Sequence, residues 1–275
     1  MINGINSREM ILEILLEIEE GEHSHVAIRN ALSKYQFLPK QDRAFITRVC
    51  EGTLEYRIQI DYIINSFSKV TVDKMKPAIR EILRSAVYQL KYMDSVPDSA
   101  VCNEAVKLAQ RKGFYNLKPF VNGVLRTIAR EMDQVRFPQK EDDLLKYLSV
   151  KYSMPEVLVT RWLEAYGEET TEKILADFLT EHPLTIRCRT YLNSKEEVIK
   201  SLESQGVHVA PAPYLSYAYS ISEFNHILAL DAFIKGKIVV QDVSSMLVAE
   251  VADPKKGDYV IDVCAAPGGK SLHMG

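Results

Sequence analysis

The sequence predicts three parts in series: an all-α domain, then a small α+β domain, then the opening of a Rossmann-like α/β domain. Three observations predict this. Apolar residues recur at helical spacing from residue 7 to about 131. The period then drops to two at residues 184–189, which is the repeat of a strand. Finally, the apolar run Tyr259-Val260-Ile261-Asp262-Val263 feeds directly into a Pro-Gly-Gly turn.

In the first part, Met10, Ile14 and Ile18 interleave with Ile11 and Leu15, while Glu9, Glu13, Glu17 and Glu20 point elsewhere; Gly21 stops the helix. The next helices bury Val26, Ile28 and Leu32, then Phe45, Ile46, Val49 and Cys50, then Ile60, Ile63, Ile64 and Phe67. Ile79, Leu83, Ala86 and Leu90 form a stripe behind Pro77, which a first helical turn tolerates. After a break at Pro97-Asp98-Ser99, a helix runs from Ala100 to Ala109 and ends by Gly113. Phe120, Val124 and Ile128, beside Val121, Leu125 and Ala129, line a last helix. No strand is expected here.

Arg136 to Asp143, polar and carrying Pro138, is the predicted linker, which sets domains at 1–135, 140–235 and 236–275. Ser153-Met154-Pro155-Glu156 has the spacing of a capping box, ahead of a helical face of Val157, Leu158, Trp162 and Ala165. A second helix is predicted from Thr171 to Leu179. Leu184 to Arg189 alternates as a strand, Ser194 caps a helix carrying Val198, Ile199 and Leu202, Gly206 closes it, and Val207-His208-Val209 begins another strand. This is a compact βαβ-type unit, as in small α+β RNA-binding folds. Beyond Gly236, Lys237 to Val240 is a short strand, and Ser244 or Ser245 caps a helix through Val251. Lys256-Gly257-Asp258 then turns into Tyr259–Val263, read as a central parallel strand.

Composition narrows the function classes. With 47% apolar and 26% charged residues the chain reads as an ordinary globular protein. No apolar run approaches the roughly 18–20 residues that span a bilayer. The first residues lack the basic and apolar regions of a signal peptide, so the expectation is a cytoplasmic monomer with no membrane partner. Net charge is −3, with 20 basic against 17 acidic residues up to Arg136 and 14 against 20 after it, so any nucleic-acid surface must be a local patch. Cys50, Cys102, Cys188 and Cys264 lie far apart without a C-x-x-C pair, which argues against a metal site or a disulfide framework. Each is expected to behave as a small buried apolar residue. His23 and His25 alternate in a polar stretch that suits a turn better than a ligand pair.

The residues Asp262 to Lys270 carry the chemistry. Small residues let backbone N–H groups approach a ligand, and a following helix start favours a carboxylate or phosphate. A P-loop shares Gly269-Lys270-Ser271 but has glycine where Cys264 stands, and a dinucleotide fingerprint fails because Ala265 and Ala266 occupy its small positions. An acidic residue followed by small residues and glycines is the pattern of an S-adenosylmethionine loop. A tight turn whose glycines serve only backbone geometry is the structural alternative.

Cys264-Ala265-Ala266-Pro267-Gly268-Gly269-Lys270, with Gln241-Asp242-Val243-Ser244-Ser245 some twenty residues upstream, resembles the Sun/RsmB-type RNA 5-methylcytosine methyltransferases. Residues 80–84, 103–109 and 120–125 separately resemble the antitermination factor NusB. The resemblance implies an all-α NusB-like RNA-binding domain, a small α+β linker domain and the start of a class I (Rossmann-like) α/β methyltransferase domain. It implies a cytosine-C5 methyltransferase acting on 16S ribosomal RNA with S-adenosyl-L-methionine as donor, Cys264 through Lys270 forming the cofactor loop and no metal taking part. A cysteine thiolate attacks C6 of a base drawn out of its stack, which activates C5 towards the methyl group. A second cysteine helps release the enzyme. The family's reactive cysteines stand in Pro-Cys and Thr-Cys motifs downstream of the loop, so no catalytic residue is assigned and the nucleophile is expected beyond Gly275. With only one or two strands of the sheet present, the chain is expected to be an inactive fragment. The alternative is a stand-alone NusB-like RNA-binding or transcription-regulation module.

Other residues have plainer expectations. Arg80, Arg84, Lys107, Arg111 and Lys112 are solvated helix faces, or together part of an RNA-facing patch. Asn103 and Asn122 hydrogen-bond between helices. Lys270 either meets a cofactor carboxylate or phosphate or stands in solvent at a helix start.

Overall fold

The computed structural model describes residues 6–35, 38–180, 182–224 and 226–275. They divide into two compact units, Met1–Thr180 and Glu181–Gly275.

The first unit is helical. It runs through α1 (Ser7–Glu19), α2 (Ser24–Lys34), α3 (Lys40–Glu55), α4 (Arg57–Phe67), α5 (Pro77–Tyr92), α6 (Asp98–Arg111), α7 (Lys118–Glu131), α8 (Leu144–Lys151) and α9 (Glu156–Phe178). The sequence stripes become the core: Ile11, Ile14, Ile46, Ile63, Leu83 and Leu125 are fully buried. Helix α5 is the hub, meeting α1, α3, α4, α6 and α7, because Ile79, Ile82, Leu83, Ala86 and Val87 bury more than one face of it. Each of the isoleucine, leucine and valine side chains contributes about 1.5–3 kcal/mol by leaving water. Pro77 occupies the first turn of α5 as its sequence position requires.

Residues 144–178, expected to open the second domain, pack with the helical unit. Gln59 of α4, itself buried, donates through Nε2 to the carbonyls of Val150 and Lys151 at 3.1 Å each. The predicted capping box does not form. Ser153 lies at φ 53°, and its hydroxyl accepts from the backbone N–H of Ile58 at 3.0 Å, so it caps α4 across 95 residues instead of α9. The break predicted between two helices is a kink inside α9 at Gly167 (φ 74°, ψ 174°), a conformation that favours glycine.

The second unit holds β1 (Leu184–Cys188), α10 (Lys195–Glu203), β2 (His208–Pro211), β3 (Ala218–Ser222), α11 (Asp231–Ile234), β4 (Ile238–Val240), α12 (Val243–Ala252) and α13 (Ser271–Met274). The strands form one sheet in the order β2-β3-β1-β4, with every neighbouring pair antiparallel. The expected βαβ unit is therefore split. β1 and β2 run parallel, but β3, which the sequence did not signal, lies between them. Ile186 pairs with Tyr219 and Cys188 with Ile238, and their inward faces pack with Val198 and Leu202 of α10. Ser194 caps α10, accepting from Glu197 N–H at 3.3 Å. Asp242, not Ser244 or Ser245, caps α12, accepting from Ser244 N–H at 2.8 Å.

The predicted parallel strand over residues 259–263 is absent. These residues are not in a strand, and Tyr259, Ile261 and Val263 are exposed, Tyr259 to 91%. A strand exists only through its ladder, and no described segment pairs with this one. The start of a Rossmann-like sheet thus has no counterpart among the described residues. No helix of these residues is long and apolar enough to cross a membrane.

Candidate functional site

The loop from Asp262 to Lys270 is organised by its first residue. The Asp262 carboxylate accepts from the N–H of Cys264 at 2.9 Å through Oδ1 and from the Ser271 hydroxyl at 2.5 Å through Oδ2. These two bonds, that of Ser271 foremost, hold its carboxyl below the usual aspartate value. Cys264, Ala265, Ala266 and Pro267 are exposed, while Gly268, Gly269 and Lys270 are half-buried. Gly268 takes φ 101°, and a side chain there would meet Leu272 at 3.4 Å. The space beside Gly269 is open. The nine residues thus come together as one hydrogen-bonded loop with accessible backbone.

The cysteines divide. Cys50, Cys102 and Cys188 are buried as expected, and burial pushes each thiol up, Cys188 to about 11. Such thiols are poor nucleophiles, because the thiolate is the reactive form. Cys264 departs from the expectation: it is exposed.

Of the five basic residues named, Arg80 and Arg84 are largely buried in ion pairs, whereas Lys107 and Arg111 stay exposed beside acidic neighbours, as solvated helix faces do. Arg84 donates to both Asp61 oxygens, through Nε at 2.7 Å and Nη2 at 2.6 Å, and to Glu81 at 2.6 Å. Arg80 pairs with Glu19 and donates to the Val72 carbonyl at 3.2 Å. Burial raises the Glu81 carboxyl despite these cations. Lys107 pairs with Glu104, Arg111 with Glu9, and Lys112 with Glu9 and Glu13. Of the two asparagines expected to bond between helices only Asn103 does: Arg126 of α7 donates through Nη2 to Asn103 of α6 at 3.4 Å, whereas its Nε bond to Asn122 at 3.1 Å stays within α7.

In the second unit, sequence reasoning missed the burial of Arg187 as well as strand β3. Arg187 on β1 is 5% exposed, and its Nε donates to Gln241 Oε1 at 2.9 Å. The alternation of Leu184 to Arg189 marked Arg187 as solvent-facing. Only the packing of Met246 with Ala218, the strand partner of Arg187, shows that this face is covered as well. Among the described residues no group of His, Cys, Asp and Glu has the arrangement of a metal site.

Residues 5–130 match the NusB family, and residues 154–227 match the RsmF/B-like methyltransferase ferredoxin-like domain. The order β2-β3-β1-β4 with a split βαβ is that ferredoxin-like pattern. A Bacillus subtilis (strain 168) protein named probable ribosomal RNA small subunit methyltransferase B is 34% identical over 267 residues, 97% of this chain and 59% of that protein. A Synechocystis protein of the same name is 31% identical over 98% of this chain and 60% of its own length. The crystal structure of PH0851 superposes with a TM-score of 0.71 at 26% identity, covering 98% of this chain and 61% of that one. The chain thus spans about three-fifths of the relatives it matches.

Proposed function

We propose that the chain is part of a ribosomal RNA small subunit methyltransferase B, and that its protein is an S-adenosylmethionine-dependent cytosine-C5 methyltransferase of 16S ribosomal RNA. One observation carries the proposal: a NusB domain, a ferredoxin-like domain and the Asp262–Lys270 loop follow each other in one chain.

In this reading Cys264, Ala265, Ala266, Pro267, Gly268, Gly269 and Lys270 form one wall of the donor's site. The open space beside Gly269 and the positive φ of Gly268 suit close approach of a ligand to the backbone. Asp262 holds the turn through Cys264 and Ser271. S-adenosylmethionine supplies the electrophilic methyl group. Attack on C6 of cytosine needs a thiolate, and Cys50, Cys102 and Cys188, buried with raised pKa values, do not fit that role. Cys264 is assigned to the loop wall. The helical domain contributes RNA affinity.

Bisulfite sequencing of 16S ribosomal RNA tests this in cells with and without the gene. Loss of one 5-methylcytosine on deletion is the expected result, and an unchanged methylation pattern would refute it. The NusB-family match over 5–130 favours a second reading, a stand-alone RNA-binding or transcription-regulation module. That reading predicts a salt-dependent gel shift with RNA and no change in methylation.

A further inference from the structure

Arg187 is the most deeply buried arginine of the second unit, and among the described residues no carboxylate balances it. Among the described residues its hydrogen-bond partner is the neutral amide of Gln241. Gln241 is 7% exposed, and its Nε2, a donor, has no acceptor. Nearby, the Nδ1 of His273 is also buried without a partner. The His273 and Tyr217 rings stand edge to face with centroids 5.6 Å apart. The acids in this corner are engaged elsewhere. Glu250 accepts from the Tyr217 hydroxyl at 2.5 Å, and Asp242 accepts from the N–H and hydroxyl of Ser244. Among the described residues no acid forms an ion pair with Arg187. A buried guanidinium normally stands beside a carboxylate or another anion, because removal from water otherwise goes uncompensated.

We infer that Arg187, Gln241 and His273 form a receptor for a phosphate-type oxyanion. The guanidinium supplies charge and paired donors, which match phosphate oxygens. The free Gln241 amide N–H adds a third donor, and the Gln241 carbonyl holds the guanidinium plane in place. His273 adds a further donor in the tautomer carrying its proton on Nδ1. The natural source of the oxyanion is either an RNA phosphodiester or a free phosphate-bearing small molecule. The receptor stands independently of methyl transfer, since its donors need no methyl donor to act.

The test is thermal unfolding of the full chain in sodium phosphate against sodium chloride at matched ionic strength, without S-adenosylmethionine. Phosphate is expected to raise the Tm saturably and chloride to leave it unchanged. Arg187→Met should weaken phosphate affinity at least about tenfold, equivalent to ~1.4 kcal/mol. Gln241→Glu, which supplies an internal carboxylate to Arg187, should raise the Tm without phosphate and abolish the phosphate response. This variant keeps the test decisive if Arg187→Met does not fold. Competition by a short single-stranded RNA would assign the site to a phosphodiester; phosphate binding without competition would assign it to a free small molecule. Equal Tm values in phosphate and chloride, or a full phosphate response in Gln241→Glu, would overturn the receptor.

Discussion

Gly52 and Gly123 are both helical glycines, and their surroundings give them opposite consequences. A Cβ on Gly52 of α3 would fall inside the Tyr88 ring, a buried side chain of α5, whereas one on Gly123 of α7 would meet nothing within 4 Å. Alanine gains up to about 1 kcal/mol over glycine in a helix interior. Overpacking a filled core costs about 1–3 kcal/mol. At Gly52 the second effect wins and at Gly123 only the first operates. Urea titration should therefore show Gly52→Ala less stable and Gly123→Ala more stable than the parent, and an unchanged Gly52→Ala would show that Tyr88 swings away freely. The sequence gives no hint of this difference, because the residue that distinguishes the two sites is 36 positions away along the chain. Ser153 has the same character: its spacing to Glu156 spells a capping box, yet its hydroxyl serves Ile58. A local motif states which bonds a side chain is able to make, and the fold chooses among them.

At the scale of elements, Glu172 of α9 ties its helix to the segment before it. Its carboxylate accepts from Lys151 at 2.9 Å, Tyr152 at 3.0 Å and Lys140 at 3.2 Å. These bonds, that of Lys151 first, hold the carboxyl down to about 2. A depressed folded value means that the stabilisation is present above the unfolded carboxylate value and is lost as pH falls through the folded one. The junction of α8 and α9 should thus weaken as pH drops from about 4.5 towards 2, and Glu172→Gln should show a shallower acid loss in circular dichroism. A Glu172→Gln curve parallel to the parent's would remove Glu172 from the account. The helices themselves were legible: Ile79, Leu83 and Ala86 announced α5, and Val198 and Leu202 announced α10, because helical periodicity is a local property. Strand β3 was not, since Ala218 to Ser222 is defined by the ladder it makes with β1 and β2.

At the scale of the whole molecule, the two units have different sources of stability. Among the described residues the buried core of the first runs from Met10 to Ile128, with Met132, Val135 and Phe137 packed against it and a short cluster around Leu148, Val159 and Leu175. A unit with its own core folds by itself. Residues 1–180 expressed alone should therefore keep a helical spectrum and a single cooperative thermal transition; a non-cooperative, dye-binding state would show otherwise. The sequence by itself determined the helical succession, the change of period near residue 184, the glycine-rich loop and, through that loop, the resemblance to RNA methyltransferases. Each is written in spacings of a few residues, which the chain satisfies whatever its neighbours do. The tertiary structure alone decided the sheet order, the burial of Arg187, the exposure of residues 259–263 and the partner of Ser153. Those depend on which surfaces meet, and a strand without a ladder or a charge without a covering helix has no signature in the order of residues.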